Sequence, residues 1–103
     1  MRNLPLVDTI VEAVKREFQN VHVIKLTGAA DDVPDILILA HLLCHDRGKY
    51  MPTALLVEVL PDFEGPSRIG GENHQKIQRA GGAIMMTHDV ETVVKTLEGM
   101  NAT

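Results

Sequence analysis

Val33-Pro34-Asp35-Ile36-Leu37-Ile38-Leu39-Ala40 and Ala54-Leu55-Leu56-Val57-Glu58-Val59-Leu60 decide the reading of this chain. Each is a short apolar run that carries one carboxylate. Asp35 stands at the head of the first run and Glu58 inside the second. Aliphatic runs of this length, rich in Ile and Val, read as buried strands. A lone carboxylate in such a run is costly to bury without a partner. A divalent cation shared between two carboxylates is one such partner. Side chains alternate along a strand, so Ala54, Leu56, Glu58 and Leu60 share one face while Leu55, Val57 and Val59 share the other. If the two strands pair, Asp35 and Glu58 converge at one end of a sheet.

Upstream of these runs, Pro5 suits the first turn of a helix and Asn3 a cap before it. Val7, Ile10, Val11, Val14 and Phe18 recur at helical spacing, which predicts an amphipathic helix over roughly 5–19 with one buried stripe. Val21 to Thr27 reads as a strand. Gly28 to Pro34 reads as a loop, Asp35 to Leu42 as a second strand, Asp46 to Lys49 as a turn and Thr53 to Leu60 as a third strand. The short connections favour an antiparallel meander of these three strands. Pro61 to Gly71 reads as a mobile surface loop and Glu72 to Ala80 as a helix stopped by Gly81-Gly82. Ala83 to Thr87 is a further, buried strand. Asp89 caps a last helix carrying Val90, Val93, Val94 and Leu97 on one face. The expected fold is α/β, in the order α-β-β-β-α-β-α. Val11, Val14, Ile36, Ile38, Leu55, Val57, Ile84 and Val94 are expected in its core.

The 103 residues suffice for one domain with one core. Aromatic residues are only 3%, so that core must be aliphatic. The single cysteine, Cys44, excludes an internal disulfide and a cysteine-based zinc cluster. A formal charge of −4 argues against a protein that coats nucleic acid by bulk electrostatics. It leaves room for an acidic site rimmed by local basic residues. No apolar run reaches the length of a membrane span, and the N-terminus lacks signal-peptide anatomy. The expectation is therefore a cytoplasmic protein with no membrane partner.

In these motifs the chain resembles the VRR-NUC group of the PD-(D/E)XK nuclease superfamily. The matching residues are Gly28 with Val33-Pro34-Asp35-Ile36-Leu37-Ile38-Leu39, then Leu56-Val57-Glu58-Val59, then Gln75, Ala80-Gly81-Gly82-Ala83-Ile84 and Thr87-His88-Asp89-Val90-Glu91. The resemblance implies a restriction-endonuclease-like αβββαβ core spanning residues 1–103 as a single nuclease domain. It implies a metal-dependent DNA endonuclease, a hydrolase acting on branched DNA as a homodimer. Mg²⁺ (or Mn²⁺) would be held by Asp35 and Glu58, with Glu12 of the first helix as a third ligand. Gln75 would steady the site from the second helix, with Glu72 or Gln78 as alternative equivalents. The family's lysine, two residues after the glutamate, is replaced by Leu60. In this superfamily that lysine can migrate, and Lys76 and Lys25 are the candidates here. Ala29 to Asp32 also separate Gly28 from Val33 where the family has them adjacent. The replacement of the lysine supports a second reading, a catalytically inactive domain that binds DNA or a protein partner. A third is a small α/β interaction module without nucleic acid.

Simpler roles compete at several positions. Asp35 can be a strand-start carboxylate, Glu58 can pair with Lys25 across the sheet, and Glu12 can pair with Arg16 one helical turn on. His41, His45, His74 and His88 read as surface residues, His74 beside Gln75 being the one near substrate. Met85 and Met86 read as core packing. Lys49, Arg68, Lys76 and Arg79 form either a phosphate-binding rim or ordinary surface.

Overall fold

A computed structural model describes residues 4–26, 33–44, 48–60 and 69–103. The elements run α1 (Leu4–Glu17), β1 (Val21–Lys25), β2 (Ile36–Cys44), β3 (Lys49–Val59), α2 (Gly71–Arg79), β4 (Ala83–Thr87) and α3 (Val90–Gly99). The four strands form one mixed sheet in the order β1-β2-β3-β4. β1, β2 and β3 are antiparallel neighbours, and β4 joins β3 in parallel. The expected loops at Gly28–Pro34 and Pro61–Gly71 and the turn at Asp46–Lys49 fall largely outside the described residues, as does the end of the first strand at Thr27.

The helical stripe read from the sequence is the buried side of α1. Val7, Ile10, Val11 and Val14 are all buried. The helix ends at Glu17, two residues earlier than expected, and Phe18 still donates its N–H to the Val14 carbonyl at 3.1 Å. Its ring is buried as the last member of the stripe.

Alternation along β2 and β3 sorts the sheet into two faces. Ile36, Ile38, Ala40 and Leu42 of β2 lie with Leu55, Val57 and Val59 of β3 on one face. They form the core with the α1 stripe and with Val93 and Leu97 of α3. Each fully buried aliphatic side chain there contributes about 1.5–3 kcal/mol. The opposite face carries Leu37 and Leu39 with Leu56, Ala54 and Glu58. α2 covers part of it, with Ile77 and Leu56 both closing on the space beside Gly82.

Three expectations need correction. β3 begins at Lys49, four residues before Thr53, because its register with β2 extends to Cys44↔Lys49. Pro52 is tolerated inside it because β4 pairs only from Leu55 onward, leaving one side of β3 without a neighbour there. Ile84 is only partly buried, since it sits on the face that α2 alone covers, and Val94 is partly buried against the edge of the core. Met85 packs on the core, but its neighbour Met86 points the other way and is 47% exposed. Among the described residues no helix is long and apolar enough to cross a membrane.

Candidate functional site

Asp35 is 1% exposed and Glu58 is 0% exposed, so both carboxylates lie inside the protein. The β2–β3 register ends at Ile36↔Val57, so Asp35 and Glu58 lie at the same end of the two strands, each next to a member of that last pair. The backbone of Asp35 is held from both sides. Its carbonyl accepts from the Leu26 N–H at 2.8 Å, and its N–H donates to the Val57 carbonyl at 3.0 Å. Pro34 lacks an N–H and cannot extend the ladder. The Asp35 carboxylate takes over there, Oδ2 accepting from the Val59 N–H at 2.9 Å.

Glu58, the penultimate residue of β3, reaches the segment that leads into α2. Its Oε2 accepts from the Ile69 N–H at 3.3 Å. Its Oε1 lies 3.7 Å from His74 Nε2. Gly70, at φ +83, turns the chain into α2 and provides no side-chain cap. The first turn of a helix carries unpaired N–H groups and a partial positive charge, both favourable to a carboxylate. Asn73 Nδ2 donates back to the Ile69 carbonyl at 3.1 Å and braces this entry. The buried Glu58 carboxylate is thereby tied to the residue that leads into α2 and lies beside His74 of that helix.

The other candidates are placed differently. Glu12 is exposed on α1, and α1 packs on the face away from Glu58. Among the described residues no three His, Cys, Asp or Glu side chains gather in a group that could hold an ion. Lys25 Nζ binds Asp8 Oδ1 at 2.7 Å on the α1 side, which replaces the expected Lys25–Glu58 pair. Arg16 Nε lies 3.7 Å from Glu17 Oε1 on the exposed side of α1. Gln75 and Lys76 are exposed on α2, and Lys76 Nζ lies 3.7 Å from Glu72 Oε1. Leu60 is half-buried and its N–H donates to the Thr87 carbonyl at 2.7 Å.

Lys49 begins β3 nine residues before Glu58, about 30 Å away at strand rise, so it is no part of a rim around the pair. Arg68 lies outside the described residues, as does His45.

His74 is the residue that sequence reasoning misplaced. The sequence reading puts it on the surface, near substrate beside Gln75; its side chain is only 18% exposed, with Nε2 3.7 Å from Glu58 Oε1. The one hint in the sequence is the spacing of His74 and Ile77, too slight by itself to orient the helix. Residues three apart share a helix face, and Ile77 is the one large apolar residue of α2. Comparison of the chain with protein-family models, with curated proteins and with solved structures finds no match.

Proposed function

We propose that this protein is a Mg²⁺- or Mn²⁺-dependent endonuclease that hydrolyses phosphodiester bonds in branched DNA. One observation carries the reading: β2 and β3 bring two buried carboxylates, Asp35 and Glu58, to the same end of the sheet. The order of the elements, three antiparallel strands followed by a helix and a parallel strand, is the one expected of a restriction-endonuclease-like core. Two carboxylates are hard oxygen donors, which suits a small divalent ion. Asp35 and Glu58 are the residues that would hold it. Such an ion polarises the phosphoryl group and lowers the pKa of the attacking water. The protein's own part is to fix both carboxylates: the Val59 N–H orients Asp35 and the Ile69 N–H orients Glu58. A homodimer in the cytoplasm, with one site for each strand of a junction, completes the proposal.

A second reading has its own support. Leu60 offers no cation, and both carboxylates already serve the fold, one closing the β2–β3 ladder and one anchoring α2. In that reading the domain binds DNA or a protein partner without cutting. The test is a cleavage panel of wild type, Lys76→Ala, Lys25→Ala and Leu60→Lys on junction, flap and linear DNA in Mg²⁺ and Mn²⁺. Cleavage by wild type supports the endonuclease. Binding without cleavage, with activity gained by Leu60→Lys, supports the inactive domain. No binding to any substrate removes both.

A further inference from the structure

We propose that His22 and His41 form a two-imidazole site for a borderline-soft divalent ion of the Zn²⁺ class. The site stands apart from the carboxylate pair and does not rest on the endonuclease reading. Strand register, two unengaged rings and an uncharged cleft lead to it.

His22 of β1 is paired with Leu39 of β2, and His41 lies two residues further along β2. Ile38, Ala40 and Leu42 of β2 face the core, so the alternate residues Leu39 and His41 stand on the opposite side of the sheet, with His22. The two histidines are diagonal cross-strand neighbours, with Cβ atoms about 7 Å apart. An imidazole nitrogen binds zinc at about 2.0–2.1 Å, so two rings on such a diagonal can meet at one ion. Both residues line a single surface cleft of about 690 Å³, together with Leu39, Pro52 and Ala54.

Both side chains are exposed, and among the described residues neither ring has a hydrogen-bond or ion-pair partner. Their nitrogens are therefore open to a ligand. No Asp, Glu, Lys or Arg is among the described residues that line the cleft. No carboxylate there claims a ring as an ion-pair partner, and no ammonium or guanidinium repels a cation. Neutral imidazole suits Zn²⁺, whereas carboxylates suit the harder Mg²⁺ or Mn²⁺. His41 pairs with Pro52, six residues of β3 before Glu58, which is about 20 Å at strand rise. The imidazole pair and the carboxylate pair are thus separate sites. Two imidazoles fill half of a tetrahedral shell, and water takes the rest.

The experiment titrates Zn²⁺ into the full chain, following the imidazole resonances of each histidine by NMR and the binding by calorimetry. Wild type, His22→Ala, His41→Ala and Glu58→Gln are compared, each first shown by thermal melting to be folded. Both histidines are exposed, so their replacement should leave the melting temperature unchanged. In wild type the His22 and His41 resonances should change together and saturate at one ion per chain. His22→Ala should weaken that binding about tenfold or more and abolish the change at His41, and His41→Ala should abolish the change at His22. Glu58→Gln should leave both changes as in wild type. The proposal is overturned if the two resonances stay in place in wild type, or if His41 responds unaltered in His22→Ala. It is also overturned if Glu58→Gln removes the response of both rings. None of these outcomes decides the endonuclease reading.

Discussion

Asp35 is hydrogen-bonded to both chain neighbours of Glu58. Its N–H donates to the Val57 carbonyl and its carboxylate accepts from the Val59 N–H. The two acidic residues are thus locked in register by the backbone that carries one of them.

Asp35→Ala should therefore cost more than the loss of a surface carboxylate. It leaves the N–H of buried Val59 without that acceptor, which costs about 1–3 kcal/mol. Asp35→Asn keeps a side-chain oxygen and should cost less. Urea denaturation of both variants checks the order. Equal stability of Asp35→Ala and wild type would show that the Val59 bond contributes nothing.

Val57 is fully buried on the core face, beside the residue that carries the second carboxylate. Val57→Ala removes two methyl groups from a packed site and should destabilise by about 1–3 kcal/mol through transfer and cavity terms. A urea midpoint equal to wild type would contradict the assignment of Val57 to the α1 and α3 side of the sheet.

The sheet was legible in the sequence because its signals are local. Alternation in residues 54–60 separates Glu58 from Val57, and Pro34 marks where the second strand starts. Asp89 as a helix cap was legible for the same reason, and its Oδ1 accepts from the Thr92 N–H at 2.7 Å. The placement of α2 was not. Ile77 is its single large apolar residue, so the periodicity of 71–79 is too weak to say which side faces the sheet. That depends on Gly82 leaving room for Ile77 against Leu56, a contact made only after the strands have paired. His74 was misplaced for this reason. Glu12 was drawn to the site because its helix face was read without knowing on which side of the sheet α1 packs.

Gly82 should resist substitution. A Cβ there would lie 3.0 Å from Ile77 Cγ2 and 3.1 Å from Leu56 Cδ1. Gly82→Val should cost about 1–3 kcal/mol by overpacking and push α2 away from Glu58. Gly99→Ala, at a position with open space around it, should be neutral or slightly stabilising. Thermal melts of the two variants side by side measure the contrast, and an equal effect would show that Gly82 is no seat for α2.

Asp89 makes α3 sensitive to acid. The Thr92 hydrogen bonds hold its carboxyl below the ordinary value of 3.8. A carboxylate held low in the fold contributes its full stability above the unfolded value and loses it as pH falls through the lower folded value. Asp89→Ala should lower Tm at neutral pH, and its gap to wild type should shrink as pH drops below 3.8. A gap that stays constant across that range would place the effect elsewhere than in the charged cap.

The central claim is that Asp35 and Glu58 share a divalent ion. Isothermal titration of the apo protein with Mn²⁺ tests it most directly, run on wild type and on Glu58→Gln, with folding of the variant verified by melting. Glu58→Gln keeps a side-chain oxygen to accept from the Ile69 N–H, so the fold should be retained. The account predicts saturable Mn²⁺ binding to wild type at one ion per chain and a loss of at least tenfold in affinity in Glu58→Gln. Absence of binding to wild type, or equal affinity in the two proteins, would contradict it.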